Sequence, residues 1–239
     1  MTLVPYVLAL VAVAAGSCLQ CSLGFGLGLL CAPSLALLDP ALVPGPLLIV
    51  AVVLTSALAL AGRRSLQLDE LGWAMGGRVL GTAVGVAIVA LLPARGLEAF
   101  FGATVLVAVL LSLVGLRPAV NRPALVGAGA MSGVMGTAVS TGAAPLAWLM
   151  QGRHGERLRA NLATFFFVGS VLSLGALAVA GRIGVAQLRS AALLLPGMVL
   201  GAVGSRWAVR VLDPRRTRYA VLAVSGLASA GLIVRALLS

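Results

Sequence analysis

The sequence predicts an all-α polytopic membrane protein of about eight transmembrane segments, arranged in two internally repeated halves. Three observations carry that prediction. Apolar residues make up 61% of the chain and charged residues only 10%, against about 25% charged in a soluble domain. Apolar runs long enough to cross a bilayer, about 20 residues each, recur along the whole chain. Glycine and proline landmarks stand in the same order in both halves.

The runs are 3–38, 41–61, 71–92, 97–116, 123–150, 160–180, 187–210 and 217–237. Two of them, 3–38 and 123–150, are too long for one straight span and are rich in glycine and small polar residues. Broken or re-entrant helices are expected there, near Pro33 and Pro145, because proline removes a backbone donor and interrupts a helix. The start MTLVPYVLAL lacks the basic n-region of a secretory signal, so a retained first helix is expected. The connections GRRSLQLDE (62–70), RPAVNRP (117–123), QGRHGERLR (151–159) and DPRRTR (213–218) are short and polar. One transmembrane domain, 1–239, is therefore expected, with repeat 1 at about 3–117 and repeat 2 at about 123–238.

The repeat rests on spacing. Gly77, Gly81 and Gly85 are four apart, and 120 residues later stand Gly197, Gly201 and Ser205. Gly62-Arg63 recurs as Gly181-Arg182, and Gly24 precedes Pro33 by nine residues, as Gly136 precedes Pro145. The last offset is 112, so the second half gains about eight residues, which the linker at 151–159 could hold. Four segments per half would make the repeats parallel, unless 3–38 crosses twice.

The net charge of +11 comes from seventeen basic residues, all arginine, mostly in gaps between apolar runs. Nucleic-acid binders cluster basic residues on a polar face with stacking aromatics. Aromatics are 5% here and no such face exists, so nucleic acid is excluded as a partner. The arginines suit orientation and headgroup contact in a lipid bilayer.

The main candidate site pairs GFGLGLLCAPS (24–34) with GVMGTAVSTGAAP (133–145). Broken helices at bilayer depth are tolerated where they are buried or line a wet cavity, and their N-terminal N–H groups suit an anion. Gln20, Ser22, Gly24, Gly26, Gly28, Pro33 and Ser34 are the candidates of the first half, and Ser132, Gly136, Thr137, Ser140, Thr141, Gly142 and Pro145 those of the second. The competing reading is tight helix packing, with each hydroxyl bonded back to its own helix. Arg78 lies roughly 10 Å into its segment from Leu71 at 1.5 Å per residue. It either snorkels to the interface or attracts an anion. Asn161, with Thr164, is either a substrate contact or an interhelical hydrogen bonder. Cys18-x-x-Cys21 permits a membrane thiol–disulfide carrier, although the second half has no cysteine. One histidine and three cysteines make no metal site, and no nucleotide, protease or hydrolase motif occurs. No enzyme activity and no cofactor are expected. All six acidic residues fall in loops or at segment ends, so no mid-membrane carboxylate relays protons.

Two halves that each open on a Gly-rich segment closed by proline, with a later G-x-x-x-G-x-x-x-G-type helix at 77–85 and 197–205, resemble the sulfite exporter TauE/SafE family of bacterial permeases. The resemblance covers nearly the whole chain. The family's fuller glycine run stands here as GFGLGLL, and the second copy as GVMGTAVSTG. The resemblance implies a secondary transporter of a small anion, such as sulfite, a sulfonate or another organosulfur anion, in the bacterial inner membrane, and leaves a homo-oligomer open. The rivals are a redox carrier using Cys18 and Cys21 and a non-transporting scaffold, which needs no broken helix.

Overall fold

A computed structural model describes residues 3–66, 69–114, 119–150, 156–211 and 214–238. The described residues form helices α1 (Leu3–Leu23), α2 (Leu27–Leu38), α3 (Gly45–Gly62), α4 (Asp69–Leu91), α5 (Ala94–Val114), α6 (Arg122–Val139), α7 (Ala143–Leu149), α8 (Glu156–Val179), α9 (Val185–Val211) and α10 (Pro214–Leu238), with 3-10 turns at Pro40–Leu42 and Arg63–Ser65 and no strand among them. Their outward faces are apolar, with Leu80, Leu200 and Leu227 each at least 66% exposed. Such surface is stable only where lipid replaces water.

The run 3–38 forms a hairpin. The chain turns at Gly24 and Gly26, whose φ values are +85° and +132°, which glycine alone adopts without strain. α2 then folds back against α1. Cys31 Sγ donates to the Ala12 carbonyl at 3.2 Å, and Gly16 sits against Leu27. Gln20 pins the turn, its Nε2 donating to the Gly24 carbonyl at 3.1 Å and its Oε1 accepting from the Leu27 N–H at 3.3 Å. The run 123–150 forms a second hairpin. α6 ends at Ser140, left-handed at φ 60°, and the seven-residue α7 follows.

The interruptions therefore fall on residues 24–26 and 140–142, not on the prolines. α2 continues unbroken through Pro33, and Pro145 stands in the first turn of α7, where its missing N–H would have no helical partner. A reversal needs positive φ, which proline cannot supply.

Successive helices alternate in direction. α4 and α6 run parallel, with Ala74 against Gly129, Gly81 against Ala130, and Gly85 against Val134. α1 and α9 also run parallel, with Leu10 against Gly197 and Ala14 against Gly201. Each glycine row thus admits a neighbouring backbone that a Cβ would exclude. α3 and α8 are antiparallel, with Gly62 on Ala160 near the start of α8 and Gly45 on Ile183 just past its end. α5 and α10 are antiparallel too, with Gly102 on Ile233 and Glu98 paired with Arg235 at 3.7 Å. With two helices in the run 3–38, five helices precede α6. The runs 3–38 and 123–150 each hold two helices, the case in which the expected parallel relation of the halves was not to apply.

Six described helical stretches are long and apolar enough to cross a membrane: Leu3–Leu23, Pro40–Gly62, Leu71–Leu91, Arg157–Val179, Val185–Ala208 and Tyr219–Leu238. The expected count was eight. Glycine lowers the hydropathy of α6, and the 97–116 run ends outside the described residues. Most of the linker 151–159 also lies outside them.

Candidate functional site

The two hairpin turns meet. Gly28, in the first turn of α2, packs on the Ser140 carbonyl, and a Cβ there would stand 3.0 Å from Thr141 Cα. Beside this junction lies a cavity lined by Gln20, Leu27, Gly28, Leu48, Ala51, Thr55, Arg78, Gly136, Ser140, Gly142, Phe166 and Ser170. Ser140 is fixed by its hydroxyl, which donates to the Pro44 carbonyl at 3.1 Å. Thr55 and the α8 residues Phe166 and Ser170 were not foreseen. Thr55 reads as one hydroxyl in an apolar run, and it does bond back to the Ala51 carbonyl at 2.5 Å.

Among the described residues, Arg78 is the only charged one lining the cavity. It is 2% exposed, so it does not snorkel. Its Nη1 donates to Ser132 Oγ at 2.6 Å, and the Ser132 hydroxyl donates in turn to the Gly142 carbonyl. The guanidinium carbon lies 5.3 Å from the Phe165 ring centroid, a cation–π contact. Three glycines make the room: a Cβ at Gly136, Gly142 or Gly169 would strike the guanidinium. Arg78 Nε is buried without a hydrogen-bond partner. Among the described residues no carboxylate pairs with it; Glu98 pairs with Arg235, and Asp39 caps the turn at Ala41.

The sequence-predicted residues divide. Gln20, Gly28, Arg78, Gly136, Ser140 and Gly142 share the cavity wall, and Ser132 stands behind Arg78. Gly24 and Gly26 shape the first turn. Thr141 Oγ1 and Ser22 Oγ are buried without partners. Thr137 instead pairs with Ser173 at 2.7 Å, and Ser34 bonds back to the Leu30 carbonyl at 2.8 Å. Pro33, Pro145 and Asn161 are buried away from the cavity wall. Cys18, Cys21 and Cys31 are free thiols, and none lines the cavity. No group of metal-ligating side chains exists among the described residues.

A lipid-facing helical bundle, with two hairpins closing on a cavity that holds one buried cation, belongs to the class of multi-pass membrane carriers. The chain is a member of the sulfite exporter TauE/SafE family, whose model matches residues 8–232. It is accordingly a membrane transporter of the anion-exporting kind and not an enzyme. No curated protein and no solved structure matches it.

Proposed function

We propose that the chain is a secondary transporter of a small organosulfur anion, sulfite or a sulfonate, across the bacterial inner membrane, and that the cavity between the hairpin turns is its binding site. The observation that carries this reading is a cavity walled by both hairpins, by Gln20 and Gly28 on one side and Gly136, Ser140 and Gly142 on the other, with Arg78 as the one charge among the described lining residues. Such a site replaces the hydration shell of an anion in three ways. Arg78 supplies charge-assisted hydrogen bonds. The Gly28 N–H belongs to the first turn of α2, where an α-helix leaves donors without helical partners. The Ser170 hydroxyl completes the lining, while those of Thr55 and Ser140 already donate to the Ala51 and Pro44 carbonyls.

The matched glycine rows and the two hairpins fit a duplicated half of five helices, 3–117 and 123–238, related by inversion. Inverted repeats with the site at their interface suit alternating access by rocking of one half on the other. Purified protein in liposomes tests the transport reading. Flux of radiolabelled sulfite or methanesulfonate that saturates with concentration and falls on Gly28→Val substitution supports it; no flux of any small anion refutes it.

A further inference from the structure

Charge is the sharpest constraint the cavity places on its ligand. Of the twelve described lining residues, Arg78 alone is charged; the rest are apolar, glycine, amide or hydroxyl. The elements packed on Arg78 carry their other described charges elsewhere. Arg122 of α6 stacks on Trp73, 5.1 Å from its ring centroid. Arg157 and Arg159 are exposed at the start of α8. Asp69, Glu70 and Glu156 lie at helix starts, and their side chains are outside those described. Among the described residues the site therefore presents one fixed positive charge, with a buried Nε that none of them accepts from.

We infer that the transported species is a monoanion, with Arg78 as its sole counter-charge and its specificity-determining residue. This rests on the transport reading above and goes further by fixing the ligand's charge. One monoanion bound against Arg78 makes the loaded site neutral, so burial costs little electrostatically. A dianion leaves one negative charge uncompensated in a low-dielectric cavity, where no lining residue can take up or release a proton at neutral pH. The recognised class is then a small tetrahedral or pyramidal oxyanion carrying one charge: an alkylsulfonate, or sulfite in its singly protonated form. Sulfate and fully ionised sulfite are excluded. Any proton that accompanies sulfite travels on the anion itself.

The experiment uses the full chain in liposomes, with methanesulfonate (one charge at every working pH), sulfate (two charges) and sulfite as probes. Methanesulfonate should compete with sulfite, and sulfate should compete about 100-fold less well or worse, equivalent to about 2.8 kcal/mol at 1.4 kcal/mol per tenfold. Sulfite flux should rise as the buffer is acidified through its second ionisation, while methanesulfonate flux stays level. Arg78→Gln should lose methanesulfonate flux, and Arg78→Lys should restore part of it together with the preference for one charge over two. Because a variant could fail to fold, thermal stabilisation of the native protein is read in parallel: methanesulfonate should raise the melting temperature and sulfate should not. Sulfate transported or stabilising as well as methanesulfonate overturns the charge assignment and leaves the transport reading standing. No flux and no stabilisation by any of the three overturns both.

Discussion

Replacing Arg78 with methionine separates a charge kept for binding from one kept for structure. The native guanidinium makes one charge-assisted hydrogen bond, 2.6 Å to Ser132, contributing about 1.5–3 kcal/mol. Its contact with Phe165, 5.3 Å from the ring centroid, adds up to about 2 kcal/mol in a desolvated setting. Against these stands the cost of holding a cation at membrane depth, at least about 2.5–3.5 kcal/mol, with no described carboxylate to offset it. Ser132 keeps the Gly142 carbonyl as a partner when the arginine is removed, so no new buried donor is orphaned. The opposing terms are of similar size. Arg78→Met should therefore leave unfolding free energy within about 2 kcal/mol of the parent, a shift of roughly 8 °C or less in melting temperature for a chain of this size, while anion flux disappears. Thermal unfolding in detergent and flux in liposomes are measured on the same preparation. Destabilisation by well over 3–5 kcal/mol, the range for breaking a compensated buried pair, would refute the reasoning and assign Arg78 to structure.

Other outcomes follow from the same geometry. Gly26→Ala places a side chain at φ +132°, with its Cβ 2.9 Å from that of Leu19; it should cost about 1–3 kcal/mol and reduce flux, as seen by melting and uptake together. Gly81→Leu should separate α4 from α6, since even a Cβ there strikes the Ala130 backbone, and should prevent recovery of a monodisperse protein on size exclusion. Thr137→Val removes a buried hydrogen bond to Ser173 and should cost about 1–3 kcal/mol while anion affinity stays unchanged, because Thr137 does not line the cavity. Cys18→Ser combined with Cys21→Ser should leave flux intact; loss of flux with stability retained would revive the thiol carrier.

Glycine spacing made much of the packing legible in advance. The rows at 77–85 and 197–201 lie where helices approach through backbone, because a four-residue repeat puts small residues on one helix face. The two long runs were also legible as interrupted. The points of interruption were not, because proline signals a missing donor whereas reversal needs positive φ, and Gly24, Gly26 and Ser140 provide it. The burial of Arg78 was left open for a related reason. Depth along a helix is read from residue counting, but which face a residue occupies depends on its neighbours. Arg78 lies beside Gly77 and one turn from Thr82, on the buried side of α4, and that side turns it inward to Ser132 rather than outward to the headgroups. Phe165, Phe166, Gly169 and Ser170 escaped notice because their run reads as lipid-facing until α8 is set against α4.

The central claim is that a small anion occupies the cavity against Arg78. The most direct measurement is equilibrium binding of radiolabelled methanesulfonate to purified protein, native and Arg78→Met, in detergent. Saturable binding at one site per chain that vanishes in the variant, with its fold intact, is the predicted result. Equal binding by both proteins would contradict the claim.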